Sequence, residues 1–291
     1  MNKTILITGS NGMLGTTFRQ HQLLEDRGYK VIYTNRNMLD ITNLSECHSF
    51  FASNHIHTII NCAAYTNVEK AEDEEKIPNY QVNTLGSTNL ALCAAQHNIR
   101  LIHISTDYVF DGSRIDGNNE NDTCGPLNHY GLAKWLGEEN ILRICGNHGT
   151  IVRTSWLYGG GKEFKNFVNT MLLLGQTKPE LRVIDDQRGA PTYTGDLVHA
   201  ITELIQRNTF DQPTYHFCNH TPEGGITWYD FAQQIFLLTQ NSIPVHPIPS
   251  SDYPTKAIRP RHSHLINNSN IILPDRKNGL QTYLTSLQVI T

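Results

Sequence analysis
The stretch that most restricts the fold comes at once: Thr4-Ile5-Leu6-Ile7-Thr8 runs straight into Gly9-Ser10-Asn11-Gly12-Met13-Leu14-Gly15. An apolar, β-branched run followed by spaced glycines reads as a strand, a tight turn and the first turn of a helix. The spacing is Gly-x-x-Gly-x-x-Gly rather than the Gly-x-Gly-x-x-Gly of the simplest dinucleotide fingerprint. The physics is similar. Glycine permits the turn, backbone can approach a pyrophosphate, and the helix N-terminus offers N–H donors and a positive dipole end. Gly9, Gly12, Met13, Leu14 and Gly15 are therefore candidate cofactor contacts, with Gly15 expected to let the helix pack closely on the strand.

The pattern continues in kind. Strand-like runs at 4–8, 30–33, 58–61, 100–105 and 150–154 alternate with helix-like stretches at 14–25, 44–54, 80–97 and 130–144. Strands that are nearly all apolar suit a sheet covered on both faces, and strand–helix alternation predicts a doubly wound, parallel α/β sheet of Rossmann-like type. The second half is less regular. It offers helices at 162–175, 195–206, 227–238 and 274–289, a strand at 181–184, a run at 214–218 that can rejoin the first sheet, and a proline-rich loop at 243–260. We expect a smaller C-terminal α/β substrate lobe. The dinucleotide-binding part would take 1–158 and about 189–218, and the substrate lobe about 159–188 and 219–291, interleaved in sequence.

The second strand ends near Thr34-Asn35-Arg36. An acidic residue there would favour the free ribose hydroxyls of NADH, but Asn35 holds the place and Arg36 follows. Arginine suits a 2′-phosphate, which tilts the expectation to NADPH over NADH, although a solvated loop arginine fits almost as well. Asp40-Ile41 comes next and fits either the adenine side of a cofactor or a helix cap.

Tyr130 and Lys134 are four apart on a predicted helix and so share a face. An ammonium beside a phenol favours the phenolate, which tunes tyrosine for proton transfer. Spacing alone is weak in a chain with 12 tyrosines, and Tyr158 and Lys162 repeat it. Gly159-Gly160-Gly161 separates that second pair and disfavours a helix, so it is the decoy. Ser105-Thr106-Asp107 closes the fourth strand, where ligands of open α/β sheets bind, and a hydroxyl there can hold a substrate carbonyl near Tyr130.

Together with these segments, Asn61-Cys62-Ala63-Ala64-Tyr65-Thr66, Val68-Glu69-Lys70-Ala71-Glu72, Tyr108-Val109-Phe110, Arg153-Thr154-Ser155-Trp156-Leu157-Tyr158-Gly159, Asp186-Gln187, Gly189-Ala190-Pro191-Thr192 and Arg259-Pro260 give the chain its likeness. It resembles the extended short-chain dehydrogenase/reductases, and within them the dTDP-4-dehydrorhamnose reductase family, over nearly its whole length. The resemblance implies NAD(P)H-dependent reduction of the C4 ketone of dTDP-4-dehydro-β-L-rhamnose to dTDP-β-L-rhamnose for surface polysaccharide. By that pattern Tyr130 donates the proton, Lys134 lowers the tyrosine pKa and holds the nicotinamide ribose, and Thr106 binds the carbonyl oxygen. Ala63, Ala64 and Tyr65, with Thr66, would lie along the cofactor, and Asp107 and Trp156 would meet the sugar. Some relatives join subunits through a metal held by glutamates. Thr17 and Gly195 occupy those places here, so no metal-bridged dimer is expected and the oligomeric state is left open.

Two other readings compete. One is another nucleotide-sugar 4-ketoreductase or an epimerase on the same scaffold. The other is a non-catalytic regulatory subunit resembling the β subunit of methionine adenosyltransferase, which can keep the Tyr-x-x-x-Lys pair.

The remaining signals bound the answer. Net charge is −4 with no basic block, which argues against nucleic acid as a partner. No apolar run reaches the length of a membrane span, and the run after Lys3 is too short for a signal-peptide core, so the chain is expected to begin as written. Six cysteines without a Cys-x-x-Cys pair suit a reducing compartment and a cytoplasmic location. His216, Cys218 and His220 alternate as strand neighbours, but with no fourth ligand nearby they read as core rather than zinc site. Arg259 and Arg261 are candidates for a nucleotide-sugar diphosphate, with a solvated loop the simpler account of Arg261.

Overall fold
Twelve strands are found among residues 3–208, 210–222 and 224–290, the residues that the computed structural model describes. They are β1 (Thr4–Thr8), β2 (Lys30–Tyr33), β3 (Thr58–Asn61), β4 (Arg100–Thr106), β5 (Gly149–Thr154), β6 (Leu157–Tyr158), β7 (Leu181–Ile184), β8 (Arg188–Gly189), β9 (Thr192–Tyr193), β10 (Thr214–His216), β11 (Ile226–Thr227) and β12 (Val245–Ile248). Six of them make one parallel sheet in the order β10-β5-β4-β3-β1-β2. The chain leaves β1 for β2 on one side and returns to β3 on the other, so the sheet has its topological switch point between β1 and β3. Met1 and Asn2, on which the expectation about the chain's start falls, lie outside the described residues.

Strand period places alternate side chains of the sheet in different cores. On one face Ile5, Ile7, Ile60, Ile102 and Val152 pack with Leu14 and Phe18 of α1 (Met13–His21) and Leu197, Ile201 and Leu204 of α8 (Thr194–Arg207). On the other, Leu6, Ile59, Leu101 and Ile151 meet Cys47 and Phe51 of α2 (Leu44–Ser53), Leu90 and Ala94 of α5 (Ser87–His97) and Ile141 of α6 (His129–Cys145). A third core joins Val168 and Met171 of α7 (Phe167–Thr177), Phe231 and Ile235 of α9 (Trp228–Leu238) and Tyr283 and Leu284 of α10 (Arg276–Ser286) around Tyr158. The doubly wound parallel sheet expected from the sequence is therefore present, and the run at 214–218 does rejoin it through β10.

Three expectations need correction. The single helix expected over 80–97 is broken. After the short helices α3 (Val68–Ala71) and α4 (Lys76–Tyr80), Gln81–Gly86 is a π-helical turn before α5. There Asn83 brackets Tyr65, accepting from its N–H at 3.1 Å and donating to its carbonyl at 2.9 Å. The helix expected from 162 starts only at Phe167. Gly159, Gly160 and Gly161 all have positive φ, and the Asn166 side chain caps α7 by accepting from Asn169 N at 2.9 Å. The loop expected over 243–260 contains β12, which pairs in parallel with β7. Pro247 is tolerated because β12 pairs on one side only.

Candidate active site
One end of a cleft lies at the β1/β3 switch point. A cavity of about 340 Å³ is lined by Gly9, Gly12, Asn35, Arg36, Asp40, Ile41, Ala63, Ala64 and Tyr65. Gly9 has φ +64°, and a Cβ there would sit 2.5 Å from Ala63 N, so the two loops meet at backbone distance. Gly12 is the N-cap of α1 and makes no side-chain capping bond. Gly15 alone of the sequence-predicted cofactor residues does not line the cleft. It is buried, and a Cβ there would sit 2.5 Å from Ser10 Cα, so the helix lies at backbone distance from the residues that follow β1. Asn35 is occupied locally, accepting from Asn37 N at 2.9 Å. Arg36 is exposed, with Nε 3.3 Å from Asp40 Oδ2. Asp40 also accepts from Thr42 N at 3.0 Å, so it shapes this turn, while Asn43 caps α2.

The other end is a cavity of about 520 Å³ that shares Gly12, Cys62 and Ala64 with the first. Met13, Leu14, Thr66, Thr106, Asp107, Tyr130, Lys134 and Trp156 line it. Asn128 caps α6 by accepting from Gly131 N at 2.8 Å, and Tyr130 and Lys134 then fall on the helix face turned to the end of β4. Thr106 caps the short 3₁₀ turn after β4, accepting from Tyr108 N at 3.2 Å and donating to Asp107 Oδ1 at 3.1 Å.

The electrostatics differ from the expectation in one respect. Burial pushes the Tyr130 phenol up to about 12, only partly offset by a hydrogen bond with Thr106. Burial also pulls Lys134 down to about 8, against the attraction of Glu138. Burial is the largest cause of this shift, so Tyr130 is a protonated phenol across neutral pH. Asp107 is raised to about 7, first by burial, with Ser263 and Thr106 acting in the opposite sense. Two buried hydroxyls of the cleft, Ser105 Oγ and Thr154 Oγ1, have no hydrogen-bond partner among the described residues.

Residues 2–288 match a family model described as the RmlD substrate binding domain. The chain belongs to the RmlD family. It is 39% identical over 272 residues to dTDP-4-dehydrorhamnose reductase of Aggregatibacter actinomycetemcomitans, covering 90% of each chain. It is 36% identical to the spore coat polysaccharide biosynthesis protein SpsK of Bacillus subtilis, over 90% of this chain and 88% of that one. Among solved structures it resembles dTDP-4-dehydrorhamnose reductase of Bacillus anthracis in complex with NADP. The TM-score is 0.90 and the identity 35%, over 98% of this chain and 100% of that one.

Several residues of this RmlD-family chain escape motif reading. Trp228, at the start of α9, lines the Tyr130 cavity and stacks on Trp156, with centroids 3.3 Å apart and planes 5° from parallel. Gly189 also packs closely on it, since a Cβ there would sit 2.5 Å from the same indole. Trp156 has φ +46°, an uncommon conformation for a bulky residue. Phe164 also lines the cavity, and His103 stands behind Lys134. No spacing rule marks them; a pairing across 72 positions needs the tertiary structure.

The remaining candidates lie elsewhere. Tyr158 of the decoy pair is buried in the third core against Tyr193, Phe231 and Tyr283. His216 Nδ1 lies 3.1 Å from the carbonyls of Asn118 and Ile266, Cys218 donates to Leu265 O at 3.3 Å, and His220 faces Asp275. Thr17 is buried between α1 and α8 and donates to Thr194 Oγ1 at 2.9 Å, and Gly195 packs under the Tyr193 ring. Arg259 pairs with Glu69 at 2.7 Å. Among the described residues no helix is long and apolar enough to cross a membrane.

Proposed function
We propose that this chain reduces the C4 ketone of dTDP-4-dehydro-β-L-rhamnose with NADPH, giving dTDP-β-L-rhamnose. The reading rests on one observation above the others: Tyr130, Lys134, Thr106 and Asp107 share one cavity, which abuts a glycine-lined cavity at the sheet's switch point. The named relatives and the NADP complex of the Bacillus anthracis protein support the substrate and the cofactor.

The cleft suits a dinucleotide. Gly9 and Gly12 leave backbone open beside an uncapped helix N-terminus, and Ser105 and Thr154 offer buried hydroxyls without hydrogen-bond partners among the described residues. Arg36, with Asn35, Asp40 and Ile41, would bound the adenine ribose and its 2′-phosphate. Ala63, Ala64, Tyr65 and Thr66 would flank the middle of the dinucleotide, and Lys134 its nicotinamide ribose. When bound, NADPH supplies the hydride for the ketone carbon. Thr106 would donate to the ketone oxygen and fix it beside Tyr130, whose phenol gives its proton to the forming alkoxide. Asp107 and the Trp156 indole would orient the sugar ring. In the same reading, 1–158 with about 189–218 hold the dinucleotide and 159–188 with 219–291 hold the sugar. A cytoplasmic location fits the six free thiols.

The test is a panel of dTDP-, GDP- and UDP-linked 4-keto sugars, each with NADPH and NADH. Turnover preferring the dTDP sugar and NADPH is expected. Turnover only on a non-thymidine donor rejects the substrate, and an inert enzyme that co-purifies with a synthetase favours the regulatory reading.

A further inference from the structure
Lys134 sits at the head of a buried polar chain that the reduction itself does not require. Its Nζ lies 2.9 Å from His103 Nε2 and donates to Ile104 O at 2.6 Å. His103 Nδ1 lies 2.9 Å from Asn61 Nδ2. Asn61 Oδ1 in turn accepts from the Thr8 hydroxyl at 2.7 Å and from Ala63 N at 3.2 Å. Lys134 is 2% exposed, and Asn61 and His103 are 0%, so water does not complete these contacts from outside.

Donor and acceptor roles along this chain follow from its far end. The Ala63 N–H only donates, so the atom facing it must be the Asn61 oxygen, and the Asn61 amide nitrogen must face His103. An amide N–H₂ only donates, so His103 Nδ1 must present its lone pair. A neutral imidazole with a bare Nδ1 carries its hydrogen on Nε2, which points at Lys134. Two N–H groups cannot share one hydrogen bond. The chain is satisfied throughout only when the Lys134 nitrogen accepts, that is, when it is an amine and not an ammonium. Protonating it leaves either Nε2–H against ammonium or, after a tautomer change, Nδ1–H against the Asn61 amide. Both leave a buried donor facing a donor, which disfavours the ammonium.

We infer that His103, oriented by Asn61, is a positioning residue that turns a lone pair of Lys134 toward the imidazole and so makes this lysine a titrating amine beside Tyr130 rather than a fixed cation. The inference rests on the reading of Lys134 as part of the proton-transfer site. The other groups around Lys134 do not compensate. Glu138, one turn along α6, is committed to Arg153 at 2.7 Å, Cys62 after β3 is a thiol that burial pushes up to about 12, and Tyr130 is a protonated phenol. Asp107, across the same cavity, is raised to about 7 and is partly neutral there. The lowering of Lys134 to about 8 and the depression of His103 far below its ordinary value, by burial first and then by Lys134, point the same way. The consequence for the reaction is a reserve of proton affinity. Above about pH 8, where Lys134 is an amine, it can take a proton from solvent once Tyr130 has given up its own and leave a cation facing the phenolate.

The test uses the full-length enzyme labelled with ¹⁵N in histidine and lysine. His103 is expected to show a bare Nδ1 and a protonated Nε2, and Lys134 to titrate near 8. His103→Gln offers an amide oxygen to the ammonium, so the lysine titration should move up by about one pH unit or more, tenfold in proton affinity. The matching limb of the kcat/KM profile should move with it while the KM for NADPH changes little. A protonated Nδ1 on His103, a lysine titrating at its ordinary value, or the same titration in both proteins overturns the inference. Should His103→Gln not fold, Asn61→Asp serves instead. A carboxylate reverses the tautomer, so the lysine should again titrate higher, and an unmoved lysine overturns the inference. The titration needs no turnover, so failure to reduce any 4-keto sugar would count against the proposed function and leave this result to stand or fall separately.

Discussion
Trp156 and Trp228 lie face to face in the cavity lined by Tyr130 and Lys134, with centroids 3.3 Å apart. The Trp156 backbone is in the left-handed region, and the indole packs closely on Gly189 as well as on Trp228. Stacked rings contribute roughly 0.5–1.5 kcal/mol beyond their buried area. Trp228→Ala should therefore loosen Trp156 and raise the sugar KM by about tenfold, with a smaller change in kcat, since orientation of the ground state is what is lost. Steady-state kinetics at saturating NADPH check this. An unchanged sugar KM would remove Trp228 from the site.

Tyr130→Phe deletes a hydroxyl and little else. A positioned general acid contributes typically 10²–10⁴-fold, so kcat should fall by about that much while NADPH affinity stays within about twofold. Stopped-flow reduction and NADPH fluorescence titration separate the two effects. Near-native turnover would show that the proton comes from another group.

Asp107 gives a pH signature in stability. Its folded pKa is about 7, above the ordinary 3.8, because burial penalises the carboxylate. The folded state therefore holds a proton that the unfolded state has lost between about pH 4 and 7, and stability falls as pH rises through that window. Asp107→Asn lacks this loss. The variant should gain on the parent by roughly 2–4 kcal/mol between pH 4 and 8, read by urea denaturation at each pH. A gap that does not change with pH would contradict the buried-carboxyl assignment.

Arg153 and Glu138 form a buried pair, with Nη2–Oε2 at 2.7 Å and Nε 3.1 Å from both carboxylate oxygens. Their side chains are 6% and 1% exposed, so removing one partner strands a charge. Arg153→Met should cost about 3–5 kcal/mol of folding stability, whereas replacing both by apolar residues of similar volume should cost much less. A double-mutant cycle by thermal denaturation measures the difference.

Local physics explains which elements were legible in the sequence and which were not. The strands at Thr4–Thr8, Lys30–Tyr33 and Thr58–Asn61 are apolar runs ended by turn residues, and they form where the periodicity puts them. The glycine loop and the Tyr130–Lys134 pair carry their chemistry in adjacent turns, so spacing reveals them. The π turn at Gln81–Gly86 was hidden because the Asn83–Tyr65 bracket that accompanies it is tertiary. β12 was hidden because Pro247 reads as a loop unless its one-sided pairing is known. His103 looks like one more residue of a buried strand until Asn61 and Lys134 close on its two nitrogens. The direction of the Tyr130 shift is not legible in the Tyr-x-x-x-Lys spacing because burial dominates it.

The account stands most directly on where the hydride goes. Deuterium-labelled NADPH and dTDP-4-dehydro-β-L-rhamnose should give a product carrying one deuterium at C4 of the sugar, seen by NMR and mass spectrometry, and Tyr130→Phe should give almost none in the same time. Deuterium at another carbon, or consumption of the sugar with no deuterium transferred, would contradict the assignment of this cleft as a C4-ketone reductase.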